Sequence, residues 1–311
     1  MPAVSLKNIF KTYNKGKVKA VNDVSFDVEQ GELFGLIGPD GAGKTSIFRI
    51  LTTVLLPDKG QATVGGLDTA KDYQAIRNKV GYMPGKFSLY QDLTVAENLS
   101  FFATIFKTTI EENYNLIKDI YEQIKPFSNR PAGKLSGGMK QKLALCCALI
   151  HKPEVLFLDE PTTGVDVISR KEFWEMLKRL KEQRISILVS TPYMDEASLC
   201  DRIALIQNGN IMSLDAPQNI IDNFPTQLYA AKSKDIYRLL KDLRSNPAVE
   251  TCYAFGEFLH LTLKEDQDGI NTLNKLAAQY LAEDFESKLI KPSIEDSFIR
   301  LMQEKEKSGA D

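Results

Sequence analysis

A glycine-rich segment with a lysine and a threonine is the strongest chemical signal in the sequence. Gly38, Gly41, Gly43, Lys44 and Thr45 fit the pattern G-x-x-x-x-G-K-S/T. In that pattern the backbone N–H groups surround the phosphates of a nucleotide, and the lysine neutralises part of their charge. A glycine-rich turn that binds nothing is the alternative, but it gives the lysine no purpose. We therefore predict a phosphate-binding loop.

The elements on both sides of this loop are those that phosphate binding requires. Residues 33–37 form an apolar run that predicts a buried strand, and residues 46–51 have helical spacing. The loop then lies at a helix N-terminus, where the helix dipole favours an anion. Ser46 begins this helix and joins the nucleotide-binding candidates. Upstream, Tyr13 is an aromatic residue that could stack on a base, although a strand tyrosine more often packs in a core or on a surface.

Two adjacent acids could supply a metal ligand and activate water. Asp159 and Glu160 follow the apolar run 155–158, which is typical of a buried parallel strand whose C-terminal end faces a ligand. Asp159 could hold Mg²⁺ together with Thr45, and Glu160 could orient or deprotonate the attacking water. A helix cap or a solvated turn is the alternative explanation for acids at a strand end. We favour the catalytic role, with Glu160 as the catalytic residue.

A second loop with glycines and a hydroxyl precedes another helix. Ser136, Gly137 and Gly138 lie at its start, which makes this segment a second anion-binding site. Two phosphate-reading surfaces in one chain are explained if two copies enclose the nucleotide and each completes the site of the other. An ordinary loop is the alternative.

In this order the motifs resemble the nucleotide-binding subunit of an ATP-binding cassette (ABC) transporter over the first ~220 residues. Residues 38–45 match the Walker A loop, 135–141 the signature, and 155–160 the Walker B strand. Tyr13 falls at the family's adenine-stacking aromatic position, and Asp166 ends a segment that resembles its D-loop. The resemblance implies ATP and Mg²⁺ as cofactors and ATPase activity.

Three further segments narrow the resemblance to ATPases of the ABC-2 or daunorubicin-resistance exporter type. They are residues 130–140, 193–197 and 292–298. The implied fold class is α/β: a P-loop NTPase core of the ABC ATPase type with an antiparallel β subdomain and a helical subdomain, plus a small α+β C-terminal accessory domain. We place the nucleotide-binding domain at residues 1–222, with a helical insertion at about 86–140, and the accessory domain at residues 226–311.

Local signals support this organisation. Thr94 and Glu97 form a capping box before an apolar helix, a second helix is predicted over 110–124, and Asn208-Gly209 predicts a hairpin. In the accessory domain the pattern predicts a strand at 228–231, a helix at 234–244, a hairpin around Gly256, a helix at 269–281 and a capped tail helix.

Two positions depart from the family pattern. Gly85 stands where the Q-loop glutamine should contact Mg²⁺ and water, and Pro192 stands where the switch histidine should be. A proline side chain can neither donate nor relay a proton. We therefore expect a site that binds MgATP and hydrolyses it slowly, unless Lys86, Gln91 or Tyr193 compensates. An asymmetric dimer with a second, competent ABC ATPase is one solution.

The resemblance implies a transmembrane permease of the ABC-2 type as a partner, with the chain as a homodimer or as a heterodimer with a second ABC ATPase. Phe87, Leu89, Tyr90 and Leu93 could form a groove for a cytoplasmic helix of the permease, or they could simply pack the helical insertion. The expected location is cytoplasmic and peripheral, on the inner face of the cell membrane. A regulatory nucleotide-binding module and a non-transport ABC protein are the competing functions.

Composition agrees with these expectations. The 311 residues contain 39 basic and 41 acidic side chains, so the charge gives no support for nucleic-acid binding. No stretch has the pattern of a signal peptide or reaches the ~20 apolar residues that cross a bilayer. The four cysteines lack C-x-x-C spacing, as expected of packed, reduced thiols.

Overall fold

The computed structural model describes residues 1–264, 269–277 and 285–308. The chain separates into two compact units. The first, which we call the cassette unit, contains residues 1–218 and 301–311, and the second, the C-terminal unit, contains residues 219–300. The predicted domain boundaries, including the extent of the helical insertion, stay predictions.

The cassette unit contains two sheets. Its strands are β1 (Val4–Tyr13), β2 (Val18–Val28), β3 (Leu33–Ile37), β4 (Lys59–Val64), β5 (Leu67–Asp68), β6 (Val80–Met83), β7 (Val155–Asp159), β8 (Ser186–Thr191), β9 (Arg202–Gln207) and β10 (Asn210–Asp215). Four of them form an antiparallel sheet in the order β2-β1-β4-β5. The other six have the order β10-β9-β3-β8-β7-β6, parallel except for the β9–β10 hairpin.

Six helices complete the first 182 residues. They are α1 (Lys44–Leu51), α2 (Tyr73–Lys79), α3 (Val95–Ile105), α4 (Tyr114–Ile124), α5 (Gly137–Leu149) and α6 (Val167–Glu182). The capping box of α3 is confirmed, because the Thr94 hydroxyl accepts from Glu97 N–H while the Glu97 carboxylate accepts from Thr94 N–H. The predicted start of α4 at residue 110 is wrong. Side-chain hydrogen bonds among Thr108, Glu112 and Asn113 hold a turn there instead.

One hydrophobic core packs the two sheets and α1 together. Phe26 of β2 stacks on Phe34 of β3 at 5.1 Å between ring centroids, and Phe48 of α1 meets Phe157 of β7 edge to face. Complete burial of β3, β7 and β8 explains why residues 33–37, 155–158 and 187–189 read as apolar runs rather than alternating patterns. This core therefore fixes the positions of the strand ends that carry the candidate site.

The remaining elements follow residue 216: α7 (Pro217–Asp222), β11 (Leu228–Ser233), α8 (Ile236–Ser245), β12 (Val249–Phe255), β13 (Phe258–Leu263), α9 (Gly269–Ala277), β14 (Phe285–Ile290) and α10 (Ile294–Ser308). Their antiparallel sheet has the order β12-β13-β11-β14, which is the split βαβ arrangement of ferredoxin-like units. The predicted hairpin around Gly256 is confirmed, and residues 278–281 of the predicted helix lie outside the described residues.

Two further predictions concern the whole chain. All four cysteines are free and buried, and burial raises the pKa of the Cys146, Cys147 and Cys200 thiols. Among the described residues, no helix combines the length and apolar character that crossing a membrane requires.

Candidate functional site

The predicted phosphate loop joins β3 to α1. Gly43 has φ of +105°, and a Cβ atom there would lie 2.1 Å from the carbonyl oxygen of Ala20, so only glycine fits. Nothing in the described part of the chain accepts a hydrogen bond from the backbone N–H groups of Gly41, Gly43, Lys44 or Thr45. A run of available N–H groups at a helix N-terminus is a cradle for an anion.

Lys44 is buried in this cradle, with its side chain 2% exposed. Its ammonium donates to the carbonyl oxygens of Gly38 at 2.7 Å and Pro39 at 2.9 Å, and it pairs with Glu160 Oε1 at 3.1 Å. Because a buried charge must be partnered, the loop and the acid hold the lysine here. A phosphate in the loop is negatively charged, as Glu160 is, and could therefore replace Glu160 as the partner of the Lys44 ammonium.

The two acids stand at the C-terminal end of β7, beside the loop. Asp159 is 2% exposed, whereas Glu160 is partly exposed and has φ of +51°, in the left-handed region. The backbone N–H of Glu160 donates to both the carbonyl oxygen and the hydroxyl of Ser190 on β8, at 3.1 and 3.0 Å. The Ser190 hydroxyl in turn donates to Asp159 Oδ1 at 2.7 Å.

The donor set fits a magnesium–nucleotide complex. Thr45 and Asp159 carry the oxygen ligands that Mg²⁺ prefers, and Mg²⁺ usually binds through one or two carboxylates together with substrate phosphates. No cluster of three or more His, Cys, Asp or Glu residues that could hold a metal occurs in the described ranges. At the N-terminal end of the loop helix, the Tyr13 hydroxyl lies 3.2 Å from Ser46 Oγ, so the predicted base-stacking residue reaches this helix.

The signature residues form a separate group. Ser136 caps α5 by accepting from Met139 N–H, and Gly137 and Gly138 are the first residues of that helix. A Cβ on Gly138 would lie 2.7 Å from Ser169 Oγ on α6, which begins after Asp166. Asp166 accepts from Ser169 N–H, and this hydrogen bond lowers the pKa of the carboxyl.

No hydrogen bond joins Ser136, Gly137 or Gly138 to the phosphate loop within the described residues. The two groups of predicted site residues are therefore not joined by hydrogen bonds within this chain, as expected if each is completed by another copy or by a second ATPase.

Gly85 and Pro192 both lie at the candidate site. A Cβ on Gly85 would be 3.0 Å from the carbonyl oxygen of Asp159, and Pro192 follows Thr191, whose carbonyl oxygen accepts from Gly38 N–H at 3.2 Å. Both positions therefore lie beside residues of the candidate site. Nearby, burial and then the charge of Asp159 raise the pKa of Tyr82 to about 12, so this phenol stays neutral at physiological pH.

The residues offered as substitutes are engaged in other contacts or exposed. The Tyr193 ring lies 4.2 Å from the Arg170 guanidinium, and Lys86 and Gln91 are exposed.

Sequence reasoning missed a buried acid, Glu196, that ties three segments together. It accepts from the hydroxyls of Thr162 at 2.9 Å and Thr191 at 2.5 Å, and it pairs with Arg170 at 3.1 Å. It also missed Ser190. The sequence does carry a signal for Ser190, which is a polar residue at the end of the buried run 185–189. It lies beside Asp159 if the two strands are neighbours.

Comparisons with known proteins agree with this geometry. The ABC transporter family model matches residues 21–163. The chain is 37% identical over 305 residues to the probable multidrug ABC transporter ATP-binding protein YbhF of Escherichia coli, a match covering 96% of this chain and 52% of that protein. It is 32% identical to the Nod factor export ATP-binding protein I of Rhizobium sp., covering 96% of each. The chain thus spans about half the length of YbhF and nearly all of the Nod factor protein.

A solved structure has the same fold. The ATP-binding cassette MJ0796, a dimer in a post-hydrolysis state bound to ADP and Pi, superimposes with a TM-score of 0.62 at 27% identity, covering 68% of this chain and 98% of that one. Fold, motif order and these matches agree, so the chain belongs to the ATP-binding proteins of the ABC transporter family.

Proposed function

We propose that this chain is the ATP-binding and ATP-hydrolysing subunit that energises a membrane exporter of the ABC-2 type. The observation that carries the proposal is the phosphate cradle with Lys44, built beside Asp159 and Glu160 at one edge of a parallel sheet. Anion binding, metal binding and water activation require these three features in one place.

In this proposal each predicted residue has one role. The loop N–H groups and Lys44 hold the ATP phosphates, Tyr13 contacts the base, and Thr45 with Asp159 holds Mg²⁺. The metal, when bound, neutralises charge on the phosphates. Glu160 orients the attacking water and accepts its proton, for which it must first release Lys44.

The positions of Gly85 and Pro192 support a slow site. Removing one polar contact to a developing charge typically costs ~2.7 to 4 kcal/mol of transition-state stabilisation, and two contacts are absent here. An alternative is therefore a regulatory module of an asymmetric ATPase pair, which binds ATP and leaves most hydrolysis to a second ABC ATPase. Single-turnover cleavage of bound ATP separates these functions, since a purely regulatory site cleaves none.

An apolar groove in the cassette unit supports a permease partner. Its cavity of about 430 Å³ is lined largely by apolar side chains, including Val54, Leu89, Phe102 and Ile105. Ile105 is 54% exposed, so this surface is available to a partner helix. Of the residues predicted for such a groove, Leu89 lines it, whereas Phe87 packs under Lys140 and Tyr90 packs on Phe101.

Docking of a permease in this groove would place the chain on the inner face of the cell membrane. We expect Ile105→Glu to abolish co-purification with membranes while ATP binding persists. Leu56→Glu, at a leucine that is 60% exposed and does not line the groove, is the matched control. Membrane association that survives Ile105→Glu would count against the groove.

The central experiment measures binding and cleavage separately in the purified full chain. We expect a fluorescent ATP analogue to bind with Mg²⁺, Lys44→Ala to abolish binding, and hydrolysis to be slow until a partner ATPase is added. Failure of the chain to bind ATP would overturn the proposed function. Rapid hydrolysis by the chain alone, abolished by Glu160→Gln, would overturn only the slow-site proposal.

A further inference from the structure

Ser190 touches both acids of the candidate site. Strands β7 and β8 are parallel neighbours, and their register places Ser190 directly beside Asp159. Ser190 is 0% exposed, so solvent does not compete for its hydroxyl. The contacts described above therefore join one buried side chain to the predicted metal ligand and to the predicted catalytic residue.

The direction of these hydrogen bonds is fixed. A serine hydroxyl has one proton to donate and two lone pairs that accept. Since the backbone N–H of Glu160 can only donate, the hydroxyl accepts there, and its single proton goes to Asp159 Oδ1. No other hydrogen-bond donor to Asp159 is found among the side chains and backbone groups that the structure describes. The hydroxyl thus engages one carboxylate oxygen and leaves Oδ2 for a ligand.

The same contact supports an uncommon backbone conformation. A glutamate with φ of +51° lies in a region that non-glycine residues rarely occupy. The surroundings must hold such a residue in place, and Ser190 does so by accepting the Glu160 N–H through two oxygens. This conformation presents the Glu160 carboxylate toward Lys44, with which it pairs.

We infer that Ser190 is a positioning residue for metal-dependent ATP binding: it orients the Asp159 carboxylate and holds the backbone of Glu160. This inference rests on the proposed function, in which Asp159 is a ligand of Mg²⁺. Ser190 is especially important in this chain because neither Gly85 nor Pro192 provides a polar side chain near Asp159 and Glu160.

The test titrates Mg²⁺ against the affinity of the full chain for a fluorescent ATP analogue. We expect Ser190→Ala to require about tenfold more Mg²⁺, since loss of an outer-shell partner typically costs 10–100-fold in metal affinity. Affinity for the analogue in EDTA should be unchanged. Ser190→Thr, which retains the hydroxyl, should stay close to the wild type.

Ser186→Ala is the matched control. Ser186 is a buried serine on the same strand whose hydroxyl accepts from Gly31 N–H, so its loss disturbs β8 without touching the acids. We expect its Mg²⁺ requirement to equal that of the wild type. If Ser190→Ala fails to fold, Ser190→Cys replaces it, and its weaker S–H donor should give a smaller shift in the same direction.

The outcomes separate the two proposals. Wild-type chain that binds no ATP analogue, with or without Mg²⁺, overturns the proposed function. The positioning role alone is overturned if the wild-type chain binds the analogue in a Mg²⁺-dependent way and Ser190→Ala needs no more Mg²⁺ than the wild type does. An equal increase in Ser186→Ala would also overturn it, because the effect would then come from the strand.

Discussion

Asp159 in the cassette unit and Asp296 in the C-terminal unit are both buried carboxylates, 2% and 1% exposed, but their surroundings differ. Within the described residues, the Asp159 carboxylate receives a single hydrogen bond, from Ser190. Asp296 receives hydrogen bonds from Tyr253 at 2.8 Å and His260 at 2.6 Å on one oxygen, and from the Ser293 N–H and hydroxyl at 2.7 and 2.6 Å on the other.

Burial of a carboxylate costs free energy that hydrogen bonds must offset. Four hydrogen bonds occupy both oxygens of the Asp296 carboxylate. These bonds stabilise the fold by tying the start of α10 to β12 and β13. Asp159 keeps unused acceptor capacity, which a ligand can take up. Two residues of the same type and similar burial therefore differ in the number of hydrogen-bond donors around them, and this difference supports a ligand role for Asp159 and a structural role for Asp296.

Replacing Asp159 gives the largest expected effect. We expect Asp159→Asn to weaken Mg²⁺-dependent ATP binding by about 100-fold or more, because an outer-shell partner alone is worth 10–100-fold. Its unfolding free energy should stay within about 1 kcal/mol of wild type, since the side-chain oxygen of asparagine can still accept the hydrogen bond from Ser190. Mg²⁺ titration of ATP affinity and chemical denaturation measure the two quantities. If Asp159→Asn instead lost much stability and kept the Mg²⁺ dependence of the wild type, Asp159 would be a structural residue rather than a metal ligand.

Replacing Asp296 should give the opposite pattern. We expect Asp296→Asn to lower the unfolding free energy of the C-terminal unit by about 2–3 kcal/mol, because hydrogen bonds to a charged group are worth about 1.5–3 kcal/mol each and only some survive in the amide. Mg²⁺-dependent ATP affinity should match that of wild type. Denaturation followed by the circular dichroism of each variant is the measurement, and unchanged stability would show that the four contacts contribute little.

The stability difference between wild type and Asp296→Asn should also depend on pH. Burial raises the pKa of Asp296, but hydrogen bonds from His260, Ser293 and Tyr253 outweigh it and hold the pKa below its usual value. The stabilisation is therefore complete above the unfolded-state pKa of about 3.9 and is lost as pH falls through the lower folded-state value. We expect the difference to narrow below about pH 4, and a difference that is constant down to pH 3 would contradict this.

Local signals explain what the sequence could predict. The loop between β3 and α1, the Thr94 capping box and the Asn208-Gly209 hairpin depend on residues that are close together in the chain, and all three elements are present. In the C-terminal unit β14 was missed. It alternates between half-buried and exposed positions, and its pairing with β11, some 55 residues earlier, leaves no local trace.

Long-range register explains what was missed at the site. The roles of Ser190 and Glu196 depend on which strand lies beside β7 and on side chains brought together from distant segments, such as Thr162 with Glu196. The ligand roles of the motif residues, from Tyr13 to Asp166, stay predictions, because their geometry is known and their nucleotide contacts are not.

The close approach of Gly85 to the Asp159 backbone has a consequence for engineering. A side chain at position 85 would bring its Cβ to 3.0 Å from the Asp159 carbonyl oxygen, and this backbone would have to yield by a few tenths of an ångström. Gly85→Gln would therefore add an amide and, in the same substitution, move the backbone of Asp159, the proposed Mg²⁺ ligand. Under the slow-site proposal, a gain in rate from a glutamine at position 85 therefore depends on a compensating change near Asp159.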